Sequence, residues 1–98
     1  MLTIVIPTKN EEAYLPRLLE SIQGQTLKPS EIIVADAHST DATREIARAH
    51  GAKVVDGGMI SLGRNAGARQ AQTDFILFLD ADVELRDPEF SRRLLENC

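Results

Sequence analysis

The 98-residue sequence carries no excess of positive charge, no long apolar run and only one cysteine, and each absence removes a class of function. Lys and Arg number 11 against 15 Asp and Glu, a net charge of −4, so no basic field exists to hold a phosphate backbone by counterion release, and nucleic acid is not an expected partner. The longest uninterrupted apolar stretch, Phe75 to Leu79, is far short of the roughly 20 residues that cross a bilayer. Met1-Leu2-Thr3-Ile4 lacks the basic n-region of a signal peptide. Cys98 alone can close neither an intrachain disulfide nor a zinc site, in keeping with a reducing compartment. A soluble cytoplasmic chain is the expectation. What is present, 43% hydrophobic and 27% charged residues, is the balance of a folded domain.

Two periods alternate along the chain. Leu2 to Ile6, Glu31 to Asp36 and Asp74 to Asp80 are short, nearly continuous apolar runs, and Lys53-Val54-Val55 is a weaker one. Such runs predict strands covered on both faces, as in parallel sheets. Between them Leu15, Leu18, Leu19 and Ile22 recur at helical spacing, as do Ala42, Ile46 and Ala49. Pro16 suits a first helical turn, Ser39-Thr40-Asp41 offers N-cap oxygens, and Gly51 stands where a left-handed residue would end the second helix. A further helix is expected to open near Ser61, with Gly63, Gly67 and Ala71 as a small-residue stripe, and a last one over Phe90 to Leu95 after Asp87-Pro88. Right-handed crossovers then give an open, mostly parallel α/β sheet with helices on both faces.

Ligands of such sheets bind beyond the carboxyl ends of the strands, where strand order reverses. Three strand ends carry an excess of carboxylates: Pro7-Thr8-Lys9-Asn10-Glu11-Glu12, Asp36 to Asp41, and Asp80-Ala81-Asp82. In extended chain, Asp80 and Asp82 would point to one side with Cα atoms roughly 6.5 to 7 Å apart. Two charges at ~4 Å and an effective dielectric of ~20 repel by about 4 kcal/mol, a repulsion that a hard divalent cation relieves. Mg²⁺ or Mn²⁺ would fill its remaining positions with water and substrate phosphate oxygens. Arg64 is a partner for a carboxylate or phosphate. His38 reads as a loop residue, His50 as a helix C-terminal residue and Tyr14 as a core or staple residue.

Ile6 to Glu12, Glu31 to Asp36 with Ser39-Thr40-Asp41, Gly63-Arg64-Asn65-Ala66-Gly67-Ala68 and Phe78 to Asp82 resemble, in order, the signatures of glycosyltransferase family 2, the inverting nucleotide-sugar transferases with a GT-A fold. The resemblance implies that Pro7, Lys9 and Glu11 border the base and ribose, that Val34 and Asp36 hold the base edge, and that Asp80 and Ala81 lie against ribose and diphosphate. It implies Asp82 as the direct metal ligand beside Asp80, with Arg64 ordering carboxylate and phosphate groups. The donor would be UDP- or GDP-linked and the acceptor a hydroxyl of a sugar, lipid or other molecule. Two departures stand out: Lys9 occupies a position that is often aromatic, and Ala37-His38 replaces the more usual Asp-Gly or Asn-Gly.

Inversion also needs a general base for the acceptor hydroxyl, which the family takes from a segment well after the Asp-x-Asp motif, here expected after Cys98. Residues 1–98 are therefore expected to form the donor and metal half of a transferase domain, truncated before the acceptor half and acting at the cytoplasmic membrane face if the parent protein is membrane-associated. An exposed sheet edge or apolar face would then favour self-association. Two alternatives stay open. One is a non-catalytic or engineered α/β fragment with weak or no nucleotide binding. The other is a haloacid-dehalogenase-like phosphatase, with Asp80 as nucleophile and Asp82 as acid.

Overall fold

The computed structural model describes residues 2–57 and 75–96. The elements run β1 (Leu2–Thr8), α1 (Leu15–Gln23), β2 (Glu31–Asp36), α2 (Thr43–Ala49), β3 (Lys53–Asp56), β4 (Phe75–Phe78) and α3 (Phe90–Glu96). The four strands form one parallel sheet in the order β3-β2-β1-β4. The helix expected near Ser61, with Gly63, Arg64, Gly67 and Ala71, lies outside the described residues. Among those residues, no helix is long and apolar enough to cross a membrane.

All seven residues of β1 are buried, as a central parallel strand requires. Leu2, Ile4 and Ile6 join Val34 of β2 in a core with Leu15, Leu18, Leu19 and Ile22 of α1, and Leu77, Leu79, Leu85 and Leu94 pack against it. The four α1 side chains are fully buried; at about 1.5 to 3 kcal/mol each, this stripe supplies most of the helix's reason to form. Pro16 sits in the first turn as expected. Gly24 closes the helix with its N–H on the Glu20 carbonyl at 3.1 Å.

The expected stripe of α2 shifts by one residue. Thr43 and Ala47 are buried, Ile46 is partly so, and Ala49 is exposed. Thr43 tolerates burial because its hydroxyl is doubly bonded: it donates to Asp41 and accepts the Glu11 N–H at 2.9 Å. The helix ends as the sequence predicts. Gly51 has φ +81, its N–H meets the Arg48 carbonyl at 3.0 Å, and the Ala52 N–H meets Ala47 at 3.0 Å, a Schellman closure.

Strand order places the site. From β1 the chain builds outward to β2 and β3, then crosses to β1's other side for β4, so order reverses at β1. The ladders on its two sides have different reach. Pairing with β4 ends at Val5↔Phe78, with the Leu79 N–H on the Val5 carbonyl, whereas pairing with β2 continues to Thr8↔Asp36. Beyond Val5 and Phe78 the two strands part, and their polar ends face a shared opening.

Candidate functional site

That opening is a cleft of about 560 Å³ lined by Pro7, Thr8, Lys9, Glu11, Tyr14, Asp80, Ala81 and Asp82. The structure thus gathers six of the predicted site residues, Pro7, Lys9, Glu11, Asp80, Ala81 and Asp82, at the switch point. Asp80 and Asp82 are not in extended chain as expected: Ala81 and Asp82 form a turn, with the Val83 N–H on the Asp80 carbonyl at 3.1 Å. Ala81 is buried at its centre while both aspartates are exposed. A small side chain at the turn thus seats the segment on the sheet, with an acidic residue on either side of it.

Glu11 completes the acidic lining. Its carboxyl is held above the ordinary value of 4.5, first by partial burial and then by the charges of Asp82, Asp41 and Asp80. Among the described residues no three His, Cys, Asp or Glu side chains stand close enough to enclose a cation. Asp80 and Asp82 line the cleft as two exposed carboxylates on either side of Ala81.

Asp36 lies apart from that cleft. Its carboxylate is buried and accepts hydrogen bonds from Thr8 Oγ1 at 2.7 Å, Ser39 Oγ at 2.5 Å and the Ser39 N–H at 2.9 Å, with Arg44 Nε at 3.7 Å. Burial by itself would raise its pKa, but the Ser39 and Thr8 bonds and the Arg44 charge prevail and hold it below the ordinary 3.8. Asp36 borders a second, smaller cavity of about 220 Å³ with His38, Arg44, Arg48, Val54, Val55 and Asp56. The Val34 side chain is fully buried in the core between the ladder partners Ile6 and Val54, so only its backbone could meet a base edge. Arg64 lies outside the described residues.

Sequence reasoning missed the residues that join the two loops. The Asn10 N–H donates to Ser39 Oγ and the Thr40 N–H to Asn10 Oδ1, each at 2.8 Å. The Ala42 N–H donates to Glu12 at 3.1 Å, the Thr43 N–H to Asp41 Oδ1 at 3.0 Å, and Lys9 Nζ to the His38 carbonyl at 3.0 Å. Asp41 thus caps the second helix from the position before the N-cap, Ala42, which makes no side-chain cap bond. The only sequence signal was the density of Asn, Asp, Ser and Thr, which form such side-chain to backbone bonds in turns. Asn10 and His38 take positive φ, 53° and 54°. His38 follows the path a glycine would favour, so the loop keeps a glycine-type turn without a glycine. Tyr14, expected in the core or as a staple, is 55% exposed and lines the cleft.

A parallel sheet with an acidic cleft where strand order reverses defines an open α/β protein whose ligand site lies at the carboxyl ends of its strands. The sequence matches the family model of glycosyl transferase family 2 over residues 3–97, and the chain belongs to that family. It is 36% identical over 105 residues to the 4,4'-diaponeurosporenoate glycosyltransferase of Staphylococcus haemolyticus, covering 98% of this chain and 28% of that enzyme. It is 34% identical over 105 residues to the validoxylamine A glucosyltransferase of Streptomyces hygroscopicus subsp. limoneus, covering 97% and 23%. Among solved structures it superposes with TM-score 0.82 and 27% identity on glucosyl-3-phosphoglycerate synthase from Mycobacterium tuberculosis in complex with Mn²⁺, UDP and glucosyl-3-phosphoglycerate, covering 98% of this chain and 38% of that one. Staphylococcus aureus TarS 1-349 in complex with UDP-GlcNAc gives TM-score 0.78 and 28% identity, covering 98% and 31%. The chain spans about a quarter of the length of these curated relatives. The family match runs through Asp80, which removes the phosphatase alternative.

Proposed function

We propose that residues 1–98 form the donor-binding portion of a glycosyltransferase that moves a sugar from a UDP- or GDP-linked donor to an acceptor hydroxyl. The observation that carries this reading is the cleft at the β1/β4 switch point, where Glu11, Asp80 and Asp82 meet in a chain belonging to this family. UDP, UDP-GlcNAc and Mn²⁺ bound to structural neighbours support the ligand class.

In this reading Pro7, Lys9 and Glu11 border the base and ribose. Lys9 and Asp36 keep the β1 and β2 loops in register, since each is bonded across from one loop to the other. Asp82 and Asp80 would hold a divalent cation, Mg²⁺ or Mn²⁺, which would supply positive charge to offset that of a nucleoside diphosphate. The anomeric C–O bond to the diphosphate breaks, a C–O bond to the acceptor forms from the opposite face, and the acceptor proton passes to a base. Without a cation the acidic cleft would repel a diphosphate.

Thermal unfolding with Mn²⁺ plus UDP or GDP tests the reading. Nucleotide at about 100 times Kd adds about 2.7 kcal/mol, which for a domain of this size raises Tm by roughly 10 to 20 °C. Asp82→Asn, at an exposed position, is expected to have a ligand-free Tm no lower than wild type and to lose the Mn²⁺-dependent part of the shift. A folded protein that shows no metal-dependent shift with either nucleotide contradicts the proposal.

A further inference from the structure

The cleft contains one feature that the donor and metal chemistry leaves unused, an aromatic ring. Tyr14 is the only aromatic side chain lining it among the described residues, and more than half of its surface is open. Its backbone is fixed on both sides: the Tyr14 N–H donates to the Glu11 carbonyl at 3.1 Å, and the Tyr14 carbonyl accepts the Leu18 N–H at 3.4 Å as α1 begins. The ring is therefore carried by a rigid helix start rather than a loose loop. The other lining side chains, apart from Pro7 and Ala81, are polar or charged. Tyr14 supplies the largest apolar face in an otherwise hydrophilic cleft.

We infer that Tyr14 is the platform on which the donor's sugar ring rests, so that it sets how well a sugar-bearing nucleotide binds relative to the bare nucleoside diphosphate. This rests on the donor-binding reading above and extends it to the sugar. A pyranose presents one face of C–H bonds and a rim of hydroxyls, a pattern that pairs naturally with an aromatic face beside carboxylates. Asp80 and Asp82 are acceptors for the hydroxyl rim or for the cation, while the ring covers the apolar face. Lys9 is drawn toward the β2 loop by its bond to the His38 carbonyl, so it does not cover the Tyr14 ring. Because Tyr14 is exposed and outside the core, its replacement is expected to leave the Tm of the ligand-free protein unchanged.

Calorimetric titration of the full chain in Mn²⁺ provides the test, with UDP against UDP-glucose and UDP-GlcNAc, and GDP against GDP-mannose, for wild type, Tyr14→Ala and Tyr14→Phe. Tyr14→Ala is expected to leave the Kd for UDP or GDP within twofold and to weaken the corresponding sugar nucleotide by about five- to tenfold, the range an aromatic contact supplies. Tyr14→Phe, which keeps the face, is expected to restore wild-type ratios. Equal loss for bare and sugar-bearing nucleotides would overturn the inference by moving the ring to the nucleoside. An unchanged ratio in Tyr14→Ala would overturn it outright while leaving the donor-binding reading standing. Absence of any nucleoside diphosphate binding by wild type would remove that reading and this one with it.

Discussion

Asp36 and Glu11 are acidic residues in neighbouring strand-end segments, yet their surroundings push them in opposite directions. Asp36 is buried, but Ser39, Thr8 and Arg44 more than offset burial and stabilise its charge. It contributes stability above the ordinary value of 3.8 that is lost as pH falls through its lower folded value. Glu11 has the reverse sign: burial and then the charges of Asp82, Asp41 and Asp80 raise it above 4.5, so its contribution is present below 4.5 and lost as pH rises through its folded value. In metal-free protein at pH 7, Glu11→Gln is therefore expected to melt higher than wild type, with the difference vanishing below pH 4.5. A thermal scan across pH checks this, and a lower Tm for the variant at pH 7 would contradict it. His38 gives a second residue-scale case. With φ 54°, its carbonyl accepting from Lys9 Nζ and its ring in an exposed 3.3 Å contact with Asp56, it sits where β-branched residues fit worst. His38→Val should cost about 1 to 2 kcal/mol, and His38→Gly should hold or slightly raise stability. Urea unfolding that ranks the glycine variant below the valine variant would contradict the strain argument.

At the scale of elements, legibility in the sequence tracked the hydrophobic term. β1 and β2 announce themselves because a strand covered on both faces needs apolar residues at nearly every position; β4 has the same continuous apolar run, although its Ile76 and Phe78 stand exposed. α1 does so because Leu15, Leu18, Leu19 and Ile22 alone make its buried stripe. α2 was misread by one position because its key buried residue, Thr43, is admitted by hydrogen bonds that hydropathy does not register. Asp80 and Asp82 were legible as a pair, but the turn that presents them depends on the Val83 N–H finding the Asp80 carbonyl, a bond no residue type requires. Tyr14 was misplaced because an aromatic at a helix start carries the same sequence signal whether it staples the helix or faces a cleft. Gly57 shows how closely β3 leaves the sheet: a Cβ there would stand 2.7 Å from the Ala35 carbonyl oxygen and 2.8 Å from its carbon. These are backbone atoms of the neighbouring strand and cannot swing aside. Gly57→Ala should therefore cost about 1 to 3 kcal/mol, with the largest loss of hydrogen-exchange protection at the β2–β3 edge. A variant as stable as wild type would show that this exit is looser than described.

Over the whole molecule, one geometric fact links sequence to proposed activity. β1 runs three residues further along β2 than along β4, so the sheet opens on one side of its central strand, and Glu11 beyond β1 faces the same gap as Asp80 and Asp82 beyond β4. The same arrangement leaves β4 at the end of the described sheet, with Ile76 and Phe78 each 39% exposed. The donor-binding account depends on the gap being where nucleotide and cation meet, which can be located by paramagnetic relaxation. In ¹⁵N-labelled protein with UDP, substoichiometric Mn²⁺ is predicted to broaden the amide signals of Ala81, Asp82, Thr8 and Glu11 first, and Asp82→Asn is predicted to abolish that pattern. Broadening centred instead on His38 and Asp56 at the second cavity, or none that depends on UDP, would contradict the account.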